Sequence, residues 1–139
     1  LEFFERSQIP EGFYRAGLIY ERRGINLGKR GKKDRERSQD NFRKAFERFT
    51  TAADKGNAKA YYRLGMCYLS GQGVEASFEL AAKNFNEAAE RGDAEACYQL
   101  ALCYLRGDGV IQSKEEAITL LKKAAEKGHS LAKEKLKNL

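Results

Sequence analysis

One stretch of this sequence is repeated with many matching positions, and that repetition constrains the fold more than any single residue does. The segment Ala60–Gly92 recurs 36 residues later as Ala96–Gly128. Matches that stay in phase at a period of this length predict a repeat protein, in which stacked helix pairs contact only their neighbours. The matching positions include Leu64 and Leu100, Cys67 and Cys103, Tyr68 and Tyr104, Gly71 and Gly107, Gly73 and Gly109, Val74 and Val110, Ala81 and Ala117, Ala88 and Ala124, and Ala89 and Ala125.

Each copy divides into two amphipathic helices separated by a glycine corner. The small or apolar residues of 57–70 fall at i, i+3, i+4 and i+7, the spacing of one helix face. Gly71 and Gly73 then end the helix, because glycine adopts positive φ angles without strain. A second apolar stripe predicts a second helix that ends at Gly92. The fold class is therefore all-α. The two stripes consist of Tyr61, Leu64, Gly65 and Tyr68, and of Ala81, Phe85, Ala88 and Ala89.

The motif at these residues resembles a known repeat family. L-G-x-x-Y-x-x-G-x-G-V spans Leu64–Val74, with a variant at Leu100–Val110 that carries Ala101, and A-A-E-x-G follows at Ala88–Gly92 and Ala124–Gly128. Both are similar to motifs of the Sel1-like repeat (SLR) family, a relative of the tetratricopeptide repeats. The resemblance implies an α/α solenoid, a right-handed superhelix of antiparallel helix pairs. It also implies a non-enzymatic scaffold or adaptor that binds other proteins.

The repeat divides the chain into three full units and two partial ones within a single domain, residues 1–139. Unit one covers residues 10–56, unit two 57–92 and unit three 93–128. Residues 1–9 are predicted to end a preceding second helix, and residues 129–139 to form a capping helix with a polar surface. Because the sequence begins with Leu1 rather than Met, we expect it to be part of a longer chain.

Unit one carries 12 residues more than the other units, and all of them lie between its two helices. We predict a first helix over Glu11–Arg23 and a second helix that begins with an N-cap at Ser38. The insertion between them, about residues 24–37, departs from the family pattern. The stretch between Tyr20 and Ser38 carries a net charge of +5, nearly all of the chain's +6.

The basic insertion has three interpretations. Charged, glycine-rich stretches are most often mobile, solvated loops. Clustered cations can also bind an acidic protein, or bind RNA or anionic lipid by counterion release, and the chain would then be an electrostatic tether. No aromatic residue lies between Gly24 and Arg37, which argues against base stacking. The residues that would carry such a tether are Lys29, Arg30, Lys32, Lys33 and Arg35.

The resemblance also implies where a partner protein would bind. In tetratricopeptide-like stacks the first helices line the concave surface, and their residues that are not used in packing face a groove. A tyrosine then recurs at one position in every unit, with Leu or Met one turn further on, a composition typical of peptide-binding grooves. The alternative is that these tyrosines pack between neighbouring first helices. The predicted groove residues are Tyr14, Leu18, Arg22, Lys59, Tyr62, Met66, Leu69, Glu95, Tyr98, Leu102, Leu105 and Arg106.

Catalysis and metal binding have little support in the sequence. His129 is the only histidine, and no cysteine is expected near it, so we predict no catalytic residue, no metal site and no cofactor. No apolar run approaches the roughly 20 residues of a membrane span. Three cysteines without a disulfide partner favour a reducing compartment. We therefore expect a cytoplasmic protein that binds a protein segment rather than a small-molecule substrate.

Overall fold

The structure is a computed structural model that describes the backbone of residues 10–27 and 32–139, and the side chains of 11–26 and 35–139. This part of the chain contains seven α-helices and no strand. Each unit pairs a first helix (α1, α3, α5) with a second helix (α2, α4, α6), and α7 begins a further unit. The prediction of an all-α solenoid of repeats is confirmed. The helices are α1 (Pro10–Leu27), α2 (Lys32–Asp54), α3 (Ala58–Ser70), α4 (Phe78–Glu90), α5 (Ala94–Arg106), α6 (Lys114–Glu126) and α7 (Ser130–Lys137).

The helix ends follow from the repeated turn residues. Asn57 and Asp93 precede α3 and α5, and each side chain accepts a hydrogen bond from a backbone N–H of the first turn. Gly71 and Gly107 end the same helices with φ angles of 72° and 75°. Their N–H groups donate to the carbonyls four residues earlier, at 2.8 Å in both units. The predicted glycine corners are therefore present.

In the core of each helix pair, one large side chain of the second helix packs against one small residue of the first helix. Phe49, Phe85 and Leu121 occupy the same position in successive second helices, and all three are fully buried. The ring of Phe85 lies so close to Gly65 that a Cβ atom there would stand 2.5 Å from a ring carbon. Ala101 replaces this glycine in the unit that has leucine instead of phenylalanine. A larger residue on the first helix is therefore accompanied by a smaller one on the second, which keeps the packed volume of the pair constant.

The glycine corners also join successive units. The backbone of Gly73 lies against the middle of α2, at Phe42 and Arg43, and a Cβ atom there would be 2.9 Å from the backbone nitrogen of Arg43. Gly109 approaches the start of α4 in the same way, 2.7 Å from the nitrogen of Glu79. Both glycines have a positive φ, 77° and 74° respectively. Each corner thus requires glycine both for its conformation and for its closeness to the preceding unit.

The predicted helix ends in unit one are wrong. The first helix continues to Leu27 rather than ending at Arg23, and the second begins at Lys32 rather than at Ser38. Ser38 lies inside α2, is buried, and its hydroxyl donates to the carbonyl oxygen of Gly24 on α1. The described parts of the insertion, 24–27 and 32–37, are helical because they extend both helices by additional turns that pack on each other. Residues 28–31, and residues 1–9 with the predicted preceding helix, lie outside the described residues.

Candidate protein-binding face

The predicted tyrosine column lies between helices rather than fully open to solvent. Tyr14 is 8% exposed and packs against Phe49, with ring centroids 5.9 Å apart. It is therefore a core residue, and its placement on an accessible binding surface is wrong. Tyr62 is half-buried, and its ring lies 6.0 Å from that of Phe85. Burial first, and then the nearby Glu95 carboxylate, raise the pKa of the Tyr62 hydroxyl, so this hydroxyl stays protonated at neutral pH.

Tyr98 stacks on the residue that begins the next first helix. Its ring centroid lies 4.8 Å from that of His129, at an interplanar angle of 24°. His129 is the N-cap of α7, and its Nδ1 accepts a hydrogen bond of 3.1 Å from the N–H of Ala132. Its Nε2 lies 3.1 Å from a carboxylate oxygen of Glu95. The histidine therefore attaches the last helix to unit three, a role that its equivalence with Asn57 and Asp93 in the repeat would have indicated.

His129 provides a test of this attachment. Replacing it with alanine removes the cap, and we expect a loss of about 1 kcal/mol in the free energy of unfolding. The substitution His129→Asn should retain most of that stability, because asparagine caps α3 at the equivalent position. Urea unfolding followed by circular dichroism measures both. Equal losses for the two variants would show that the stacking on Tyr98, and not the cap, holds α7.

An ion pair joins the first helices of units one and two across the same face. Arg63 Nη1 lies 3.4 Å from Glu21 Oε1, and the glutamate side chain is only 15% exposed. Burial raises the pKa of Glu21, and the positive charge of Arg63 opposes that rise. Glu21 stands where the other units have Leu69 and Leu105, so the repeat pattern alone does not predict a charge here.

The accessible part of the face is a set of half-buried apolar side chains with charged residues around them. Leu18, Met66 and Leu102 are each half-buried. Leu69 and Leu105 are half-buried as well, and they pack against the core clusters, as Leu18 and Met66 also do. The exposed charged residues that we predicted at the rim are Arg22, Lys59, Glu95 and Arg106. Binding through the leucine and methionine positions stays a prediction.

The basic residues of the insertion are only partly within the described structure. Arg35 is exposed on α2. The backbone of Lys32 and Lys33 is helical, but their side chains lie outside the described residues, as do Lys29 and Arg30 altogether. Binding through this segment stays a prediction.

The three thiols are buried and none forms a disulfide. Burial raises the pKa of Cys67 to about 12, so this sulfur is a thiol and not a nucleophilic thiolate at neutral pH. Within residues 11–26 and 35–139, no group of three His, Cys, Asp or Glu side chains could hold a metal ion. None of the described helices is long and apolar enough to cross a membrane.

A known family model matches residues 14–129, which cover all three units but not α7. The model of the Sel1 repeat matches three consecutive segments, residues 14–57, 58–93 and 94–129. The chain belongs to the Sel1 repeat family. Sel1 repeat proteins generally act as protein-interaction scaffolds and are typically non-catalytic. No curated protein sequence matches the chain.

Solved structures of other Sel1 repeat proteins share the fold. A Sel1 repeat protein from Oxalobacter formigenes is 26% identical with a TM-score of 0.78, and the match covers 95% of this chain and 49% of that one. The uropathogenic Escherichia coli protective antigen c5321 is 24% identical, with a TM-score of 0.66 over 95% of this chain and 33% of that one. Helicobacter pylori cysteine-rich protein B is 19% identical, with a TM-score of 0.63 and coverages of 89% and 94%. This chain therefore spans about half the length of the Oxalobacter protein.

Proposed function

We propose that this protein is a non-enzymatic scaffold that binds a segment of a partner protein on the face formed by its first helices, the concave side of the solenoid. The observation that carries the proposal is the row of half-buried apolar side chains Leu18, Met66 and Leu102, one from each unit. Equivalent positions on parallel neighbouring helices form a continuous apolar strip, to which an extended or helical segment can bind.

The charged residues beside this strip indicate which charges a partner segment should carry. Lys59 and Arg106 are exposed cations and Glu95 is an exposed anion on the same face. Rim charges of both signs contribute to orientation and association rate more than to affinity, whereas the apolar positions contribute most of the binding energy. A partner segment with a few apolar side chains and mixed charge fits this surface.

Photo-crosslinking distinguishes this face from the rest of the protein. A benzophenone amino acid is introduced at position 66 or 102, and in matched variants at Lys83 or Lys122, which are exposed on second helices. We expect the same partner to be crosslinked from 66 and 102 and not from 83 or 122. With that partner in hand, Leu102→Glu should weaken binding about thirtyfold, the effect of about 2 kcal/mol for a central interface residue, and Lys122→Glu should not. Crosslinks confined to positions 83 and 122 would contradict the proposal.

A further inference from the structure

A second surface, on the edge of the solenoid where the glycine corners lie, carries two uncovered large apolar side chains. Phe78 at the start of α4 is 52% exposed, and Ile111 in the corner of unit three is 89% exposed. They belong to one edge because the backbone of Gly109, two residues before Ile111, lies against the backbone of Phe78. We call these two residues, with the hollow described below, the Phe78 patch.

Unit one contains the same feature in a covered form. Phe42 is equivalent to Phe78, since Gly73 approaches its backbone just as Gly109 approaches that of Phe78. Yet Phe42 is only 6% exposed. The last turns of α1 pass over its ring: a Cβ atom on Gly24 would lie 3.1 Å from a ring carbon of Phe42. The Ser38 hydroxyl holds that turn in place through the Gly24 carbonyl.

Unit two lacks the helical turns that would cover Phe78. Its first helix ends at Ser70, whereas the equivalent helix of unit one continues to Leu27. A hollow of about 80 Å³ lies next to Phe78. It is lined by Tyr68, Leu69, Ala76, Ser77 and Phe78. Unit three has no apolar ring to cover at this position, because Lys114 replaces the phenylalanine.

The charges around the Phe78 patch indicate what kind of helix could cover Phe78 as the last turns of α1 cover Phe42. Glu75 and Glu79 are exposed on either side of Phe78. The covering turns of unit one have the sequence Arg22-Arg23-Gly24-Ile25, a small residue at the contact with basic neighbours. A second copy of this chain is a poor source of such a helix, because its own Gly24 is already packed on Phe42.

We propose that the Phe78 patch binds a helix of a partner protein that presents glycine or alanine to the ring and basic residues to Glu75 and Glu79. The bound helix would occupy the place that the last turns of α1 occupy over Phe42. This site shares Leu69 with the first-helix face but none of Leu18, Met66 and Leu102, so either proposal can fail without the other.

The test is a titration of the ¹⁵N-labelled protein with a synthetic peptide of residues 15–27, followed by NMR. We expect chemical-shift changes at the amides of Phe78, Glu79 and Ile111. A control peptide with Gly24→Leu has the same charge but cannot approach the ring, so it should bind at least tenfold more weakly. The protein variant Phe78→Lys keeps the fold, because lysine is native at the equivalent position of unit three, and it should also lose at least tenfold in affinity.

Three outcomes would overturn the proposal. Equal affinity for both peptides, or binding that survives Phe78→Lys, would mean that Glu75 and Glu79 attract the peptide by charge alone. Shift changes centred on Phe42 and Ser38 would mean that the peptide displaces α1. An absence of shift changes at a peptide concentration of 1 mM would mean that the Phe78 patch does not recognise this chemistry. Circular dichroism of the Phe78→Lys variant confirms that its helices are intact.

Discussion

Replacing Phe85 with alanine is expected to lower the free energy of unfolding by about 4 kcal/mol. The ring is fully buried between the two helices of unit two and lies against Gly65. Its removal loses the transfer free energy of the ring and leaves a cavity that neighbouring helices fill only in part. Urea unfolding monitored by circular dichroism measures the loss.

The same pair of residues offers a matched control. Gly65→Ala alone should destabilise by about 1–3 kcal/mol, because the new methyl group would lie 2.5 Å from the Phe85 ring. Phe85→Leu in the same chain removes that overlap and recreates the Ala101 and Leu121 pair of unit three. The double variant should therefore be more stable than Gly65→Ala, and a double-mutant cycle gives the coupling. Additive effects would show that the two positions do not share a fixed volume.

Gly109→Ala is the second change with a large expected effect, about 3 kcal/mol of lost stability. Gly109 has a φ of 74°, which costs about 1 kcal/mol for any residue with a Cβ atom. In addition, that Cβ atom would stand 2.7 Å from the backbone nitrogen of Glu79, which cannot move without shifting α4. The corner of unit three would then separate from unit two.

Gly128→Ala is the control for Gly109→Ala. It has a similar φ, 86°, but a Cβ atom there would meet nothing within 4 Å. The control should lose only the roughly 1 kcal/mol of backbone strain. The difference between the two variants, measured by urea unfolding, isolates the contact between units. If both lose the same amount, the corner does not hold the units together.

In units two and three, the local sequence pattern was sufficient to predict where the first helices end. The Y-x-x-G-x-G pattern at Tyr68–Gly73 and Tyr104–Gly109 places the ends of α3 and α5 at the residue before the first glycine, and both helices end there. Unit one is different because its additional residues contain no strong helix-ending signal other than scattered glycines. Whether Gly24 ends a helix or packs inside one depends on Ser38 and Phe42, which lie 14 and 18 residues further along the chain.

The sequence predicts which residues lie on the first helices, but not how far each is packed against its neighbours. Met66 and Leu102, one turn beyond the tyrosines, are half-buried, and their part in binding stays a prediction. The tyrosines themselves are packed against aromatic residues of other helices: Tyr14 against Phe49, Tyr62 against Phe85, and Tyr98 against His129. Glu21 and Arg63 form their pair between two units, and no periodicity within one helix indicates it.

The sequence by itself determined the class of fold, the number of repeats and the positions of glycine corners, because each depends on contacts within one unit that recur at a fixed spacing. Only the tertiary structure decided which side chains remain accessible. Phe42 and Phe78 occupy the same repeat position and are 6% and 52% exposed, since exposure depends on what the adjoining helix brings over the ring. Burial is a property of neighbours in space, and an insertion in one unit changes those neighbours without changing the repeat.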